Sequence, residues 1–386
     1  MMNKTKVLIV ISNMEFGGAQ RQIVELVNNI NQNEFEVHVC SLSEYAPLAE
    51  QFNDNIPLHI IHKQAKFDFT VVFKLAKLIR KYRFNVIHSY LFDAEIAARL
   101  AGKLSLTKIK IVGSERNSNY TLKPIQKRAY RLTKNLVSRI IANSQSGADY
   151  NALQTKQPAS KYCVVYNGVD TNRFKPQDKS SIREELGIPP DCRLIGMFAS
   201  FKQQKNHPFL IEALKKVKEQ GDKFKLLLVG DTLHGGLHGS DEYTSEVKKQ
   251  INESGFYNDV IFLGNRDDIE RIYPACDFTV LPSLFEGTPN VVLESMACAV
   301  PCIATNVSDN GRIIEHAYSG YIVTVGDVNS LAQYISTLLN HKDQLDRLSV
   351  NARKTMLDCF SSQKLAEKMC AVYSNPTLLN TLNDND

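Results

Sequence analysis

The sequence predicts an α/β protein of two doubly wound, Rossmann-like domains, and three observations carry that expectation. Near-continuous apolar runs, such as Lys6 to Ser12 and KFKLLLVG at 223–230, suit strands buried on both faces of a parallel sheet. These runs alternate with amphipathic stretches along the whole chain, which is the grammar of strand and helix units. At 386 residues the chain exceeds one ordinary core, and its second half repeats the pattern of the first.

Composition narrows the class. With 43% apolar and 23% charged residues the chain is neither disordered nor fibrous. The eight cysteines, at 40, 163, 192, 276, 298, 302, 359 and 370, form no C-x-x-C pair and read as buried thiols of a reducing compartment. No apolar run approaches the ~18 residues of a membrane span, and MMNKTK passes into strand-like VLIVIS without a signal-peptide pattern. A cytoplasmic protein is expected. Residues 1–180 hold 26 Lys and Arg against 14 Asp and Glu, a net +12, whereas the rest holds 20 against 27, a net −7. The first half is therefore the one suited to an anionic partner.

Taken in order, the first strand ends in NMEFGGAQRQIVELVNNI, where Gly17 and Gly18 open an amphipathic helix. The G-x-G-x-x-G of a dinucleotide site is missing there. Strands follow at 35–42, 57–62, 84–90 and 108–114. The last runs into ERNSNY, a polar loop at a strand's carboxyl end, where open α/β sheets bind ligands; Arg116 is thus a candidate phosphate or acceptor ligand. From Thr121 to Ile140 the chain carries Lys123, Lys127, Arg128, Arg131, Lys134 and Arg139 and no acid, with apolar residues between them. That pattern predicts a basic amphipathic helix suited to an anionic membrane surface, or a merely solvated basic face. A strand and Ser/Gly loop at 139–150 and a strand at 162–166 lead to NRFKP, read as the connection between domains.

In the second half, the strand 194–200 precedes a basic loop, FKQQKN, and a helix from His207. Lysines ahead of a helix start can hold phosphate. The Gly/His loop after residue 230 holds His234 and His238, but its glycines forbid the helix that would align them for a metal. Strands at 260–264, 277–283, 302–305 and 321–323 and helices at 330–339, 343–356 and 362–373 complete the pattern, with a frayed tail beyond.

The densest stretch is LPSLFEGTPNVVLESMACAVP at 281–301. Thr288 and Pro289 read as N-cap and first helical residue, so backbone N–H groups at the helix start, together with its dipole, favour a phosphate. Glu286 lies just before this helix and Glu294 within it, so two carboxylates flank one anion-binding end.

On these residues the chain resembles the retaining glycosyltransferases of family 4. The strings carrying the resemblance are Glu286 and Glu294 in LPSLFEGTPNVVLESMACAVPCIAT, VVYNGVDTNRFKP, KLLLVGD, and IANS with Ser144; together they span about residues 6–373. The resemblance implies a GT-B architecture of two facing Rossmann-like domains with a cleft between them. It divides the chain into an acceptor-side domain at 1–175, a nucleotide-sugar domain at 176–362, and a closing helix with tail at 363–386 that packs back on the first domain. It assigns Glu294 to the nucleotide ribose, Glu286 to the transferred sugar, the N–H groups near Asn290 and Val291 to the donor diphosphate, and Lys205 to its neutralisation. Gly287 and Thr288 complete that loop, Arg266 lies near the base, and Gly17 and Gly18 admit close approach of phosphate or sugar. Where family members carry an arginine before the lysine, this chain has Ala199 and Ser200, so Lys202 is expected to supply the second charge. Where a first-domain histidine is common, Glu115 and Arg116 stand.

The expected catalytic residues are therefore Glu286, Lys205 and Arg116. The expected reaction transfers a hexose or N-acetylhexosamine from a nucleotide diphosphate sugar, a UDP-sugar being favoured, to a glycan or lipid-linked acceptor of bacterial surface polysaccharide or lipopolysaccharide synthesis. Same-face attack with retention is expected, since no carboxylate pair spans the anomeric carbon. No cofactor or metal is expected: D-x-D occurs only at Asp384 to Asp386, and lysine and helix start replace it. Nucleic acid is not an expected partner, because stacking aromatics in the basic stretch are limited to Tyr120 and Tyr130. An anionic membrane surface is, through 121–140, on the inner face of the cell membrane. A nucleotide-sugar epimerase of the same fold and a catalytically silent nucleotide-sugar-binding protein are the alternatives.

Overall fold

A computed structural model describes residues 4–65, 68–116, 122–232 and 240–374. The tail beyond residue 374 with Asp384 and Asp386, the loop histidines His234 and His238, and Tyr120 lie outside the described residues. The chain divides into two compact units, residues 1–168 with 362–386, and residues 169–361.

The first unit contains β1 (Thr5–Ile11), α1 (Gly18–Asn29), β2 (Phe35–Ser41), β3 (Leu58–Ile60), α2 (Thr70–Tyr82), β4 (Val86–Tyr90), α3 (Phe92–Leu104), β5 (Lys110–Glu115), α4 (Pro124–Leu132), β6 (Arg139–Ala142), α5 (Gln145–Thr155) and β7 (Tyr162–Val164). Its seven strands are parallel in the order β3-β2-β1-β4-β5-β6-β7. The alternation of side chains along a strand explains why β1 is apolar from Val7 to Ile11. Val7, Ile9 and Ile11 join one core layer, whereas Leu8 and Val10 join the layer on the opposite face with Leu75, Ile79 and Ala98.

The second unit contains α6 (Ser180–Glu185), β8 (Leu194–Phe198), α7 (His207–Glu219), β9 (Lys225–Val229), α8 (Ser240–Asn252), β10 (Val260–Gly264), α9 (Ile269–Ile272), β11 (Phe278–Leu281), α10 (Asn290–Ala297), β12 (Cys302–Thr305), α11 (Asn310–Ile313), β13 (Gly320–Val323), α12 (Val328–Asn340) and α13 (Lys342–Cys359). Its parallel sheet has the order β10-β9-β8-β11-β12-β13. The strand order reverses direction between β8 and β11, the place where such sheets bind ligands at their carboxyl ends. The last helix, α14 (Ser362–Ser374), packs on α1, placing Leu365, Met369, Val372 and Tyr373 in the first unit's core.

Three expectations need correction. The segment 169–175, assigned from sequence to the first domain, belongs to the second unit: Arg353 donates to the carbonyls of Thr171 (2.9 Å) and Phe174 (2.8 Å), and Val169 N–H bonds Phe360 O. Thr288 is not the N-cap of α10. Pro289 holds that place with extended backbone, and its carbonyl accepts from Val292 N–H at 3.1 Å. The basic stretch 121–140 is not one helix, since α4 ends at Leu132, where the Thr133 hydroxyl bonds Ala129 O, and Arg139 is a buried residue of β6.

Candidate functional site

In the second unit, the loops after β8, β9 and β11 are drawn together by backbone contacts that leave no room for larger residues. Gly230 follows β9 with φ +131°, and a Cβ there would lie 2.2 Å from Ala199 O. Phe201 N–H donates to Asp231 O, and Leu284 N–H to Gln204 O. The Gln204 amide in turn donates to Phe285 O at 2.7 Å. These bonds hold the lysine loop against the segment that carries Glu286.

The consequence is an ion pair. Lys205 Nζ lies 2.5 Å from Glu286 Oε1, with side chains only 13% and 9% exposed. Ser283 Oγ donates to the same oxygen at 2.7 Å, and Ser308 Oγ donates to the Glu286 carbonyl. A nearly buried lysine held by one carboxylate is poised to exchange that partner for an arriving anion. Lys202, three residues earlier and half-buried, has its ammonium pKa lowered by burial and then by the charge of Lys205. Ser200 is half-buried in the same loop.

Gly287 and Thr288 lead into α10, and Asn290 and Val291 form its first turn, where N–H groups lack intrahelical acceptors. One turn further, Glu294 is buried and accepts from Tyr273 OH at 2.9 Å. The Tyr273 ring stacks on Phe198 with centroids 3.8 Å apart and planes at 20°. Glu294 is thereby held by a phenol that is itself clamped at the end of β8. Arg266 follows β10, but its guanidinium makes two 2.8 Å bonds to Asp268 and one of 3.2 Å to Glu185. The Asp268 bonds push its pKa up. It is a committed ion-pair partner more than a waiting ligand.

In the first unit, Gly17 caps α1 and accepts Arg21 N–H through its carbonyl; its φ of −164° is ordinary extended backbone. A Cβ there would meet Gln20 Oε1 at 2.4 Å, and Gln20 bonds Asn13 across the loop. Gly18 is the first residue of the helix. Arg116 follows β5 with its guanidinium over the Tyr90 ring, 5.2 Å from the centroid. Its neighbour Glu115 points to the other face, where Tyr162 OH donates to it at 3.1 Å. Burial, and then the charge of Glu95, push the Glu115 pKa up to about 8.

The structure brings Lys205 and Glu286 together and anchors Glu294, through Ser283, Ser308, Gln204 and Tyr273, none of which the sequence singles out. Ser283 was within reach, three residues before Glu286. Tyr273 and Ser308 come from other elements and leave no local pattern. Among the described residues no three His, Cys, Asp or Glu side chains gather as metal ligands, and no helix is long and apolar enough to cross a membrane.

Two family profiles cover the chain and meet between residues 173 and 178. The profile described as Glycosyltransferase Family 4 matches residues 16–173, and that described as Glycosyl transferases group 1 matches residues 178–355. The chain is 23% identical over 373 residues to UDP-Gal:alpha-D-GlcNAc-diphosphoundecaprenol alpha-1,3-galactosyltransferase of Escherichia coli, covering 92% of this chain and 93% of that protein. It is 23% identical over 367 residues to N-acetyl-alpha-D-glucosaminyl L-malate synthase of Bacillus anthracis, with the same coverage. Among solved structures, HepE of Anabaena in complex with UDP superposes with a TM-score of 0.82 at 24% identity, covering 96% of this chain and 99% of that one.

Proposed function

Because the chain belongs to the family 4 glycosyltransferases and has their GT-B fold, we propose that it transfers a hexose or N-acetylhexosamine from a UDP-sugar to a glycan or lipid-linked acceptor, with retention at the anomeric carbon. The observation that carries this reading is the Lys205–Glu286 pair on the approach to α10, with Glu294 anchored beyond it by Tyr273. The donor diphosphate accepts from the first turn of α10 and draws Lys205 away from Glu286. The freed Glu286 carboxylate accepts from hydroxyls of the transferred sugar, and Glu294 from those of the ribose. Lys205 then sits where negative charge grows on the leaving diphosphate. The acceptor hydroxyl attacks the face from which the diphosphate departs: its oxygen bonds to the anomeric carbon as the carbon–oxygen bond to phosphate breaks, and its proton passes to the departing phosphate oxygen. The uracil base is supported by the UDP held by HepE and by the UDP-Gal of the E. coli relative's name.

The reading includes two further expectations. Lysine and helix start do the work that a divalent cation does elsewhere, so turnover persists in EDTA; complete loss restored by Mn²⁺ or Mg²⁺ would reject this. The acceptor is presented at an anionic membrane, supported by the exposed Ile125 and Leu132 of α4 beside Lys123, Arg128 and Arg131. Serine at the three basic positions should abolish co-sedimentation with vesicles containing phosphatidylglycerol, and retained binding would remove this surface.

The central test is a donor panel. UDP and a UDP-hexose should raise Tm, by the mass action of a ligand that binds only the folded state. Labelled sugar should then pass to a lipid-linked glycan in extract. Stabilisation by GDP or ADP in place of UDP would overturn the base assignment, and conversion of the donor sugar without an acceptor would replace transfer by epimerisation.

A further inference from the structure

Six polar atoms crowd the carboxyl ends of β4 and β5 in the first unit, each buried and, apart from a loose approach of the Tyr90 and Ser114 hydroxyls to each other, without a hydrogen-bond partner among the described residues. They are Nε and both terminal nitrogens of Arg116, Tyr90 OH, Ser114 Oγ and His88 Nε2. Alternation along the two strands puts His88 and Tyr90, and Ser114 with Arg116, on the same sheet face. The rings of His88 and Tyr90 lie 4.5 Å apart, the guanidinium covers Tyr90, and His88 Nδ1 meets Tyr373 OH of α14 at 2.8 Å. Burial lowers the pKa values of both Arg116 and His88, the latter further through the charge of Arg116.

A guanidinium removed from water without a counter-ion is costly. Among the described residues no carboxylate bonds the Arg116 guanidinium. Residues 117–148 contain no Asp or Glu. Glu115 points away to Tyr162, and Glu95 is taken by Ser114 N–H at 2.7 Å and by Arg99. The residue as a whole is nonetheless only half-buried, so its surroundings reach solvent.

We infer that Arg116, Tyr90, Ser114 and His88 form an oxyanion site that takes a phosphate group carried by the acceptor. That the phosphate belongs to an acceptor rests on the transferase reading above; the oxyanion site does not. A tetrahedral phosphate suits the arrangement better than a planar carboxylate. The guanidinium fork satisfies two oxygens, which would complete a carboxylate, while the hydroxyls and the imidazole leave donors for a third.

The test uses the full chain with UDP at saturation, so that the donor site is filled, and titrates inorganic phosphate, pyrophosphate and acetate calorimetrically. One equivalent of phosphate or pyrophosphate should bind, at least ten-fold more weakly in R116Q and several-fold more weakly in Y90F. UDP affinity should be the same in all three proteins, which reports that the variants are folded. A short-chain alkyl diphosphate of N-acetylglucosamine should compete with phosphate. No phosphate binding beside UDP, binding indifferent to R116Q and Y90F, or acetate binding as tightly as phosphate would each overturn the site. Phosphate binding without competition from the sugar diphosphate would overturn its assignment to the acceptor. Binding through Arg116 in a protein that transfers no sugar from any donor would sink the transferase reading and leave the site standing.

Discussion

At the scale of single residues, the Lys205–Glu286 contact makes a two-sided prediction. Lys205→Ala should lower kcat by about 10²- to 10³-fold, the size of loss seen when a transition-state charge partner is removed. UDP affinity should also fall, and a kcat within three-fold of wild type would reject Lys205 as that partner. Tyr273→Phe leaves the ring stack on Phe198 but removes the bond to Glu294. A buried bond to a charged group contributes roughly 1.5–3 kcal/mol, so the donor KM should rise at least ten-fold with kcat little changed. A reduced kcat at unchanged KM would assign Tyr273 another role. Glu115 makes a pH prediction. Its folded pKa of about 8 stands above the unfolded carboxyl value, so the folded state holds a proton that the unfolded chain has lost. Its contribution is intact below about pH 4.5 and is lost as pH rises toward 8. The Tm of E115Q relative to wild type should therefore climb between pH 5 and 8; a difference flat across that range would show Glu115 ionised throughout.

At the scale of elements, the strand–loop–helix segments were the most legible part of the sequence, because burial on both faces of a parallel sheet leaves unbroken apolar runs. Glu286 and Glu294 were legible for a related reason, as both lie on one continuous segment around a helix start. What positions them was not, since Tyr273, Gln204 and Ser308 reach the site from other segments and a contact across the fold has no sequence period. The capping error at Thr288 has a simple cause: a threonine before a proline satisfies the N-cap preference, yet the chain starts the helix one residue later. The overlong basic helix arose because its periodicity continues past Thr133, whose hydroxyl bonds the preceding turn instead. Two of its cations bond α5, Lys127 at the Gln154 side chain and Arg131, still exposed, at the Gln154 carbonyl. Gly230 tests how strongly the loops depend on close approach. Gly230→Ala meets both a left-handed φ and the Ala199 carbonyl, so it should shift the lysine loop, cost about 1–3 kcal/mol of stability and weaken UDP binding. Unchanged Tm and UDP affinity would show that the loop yields at no cost.

At the scale of the whole chain, the second unit is a continuous segment and the first is not. α14 supplies Leu365, Met369, Val372 and Tyr373 to the first unit's core, each worth about 1.5–3 kcal/mol on burial. Their sum rivals the ~5–15 kcal/mol net stability of an ordinary domain. A chain ending at Ser361 should therefore lose protease resistance across 1–168 while still binding UDP through 169–361. Equal resistance of both units after truncation would show that α14 is dispensable. The entry and exit of the second unit are stitched side by side, Val169 N–H to Phe360 O at 2.9 Å and Val169 paired with Ser361 in a parallel bridge. This stitching has a consequence for synthesis on the ribosome. The second unit is complete once residue 361 has emerged, whereas the first, although its strands leave the exit tunnel earlier, waits for residues still inside. The later-translated half should thus close first, ahead of the half whose last helix is still to be released.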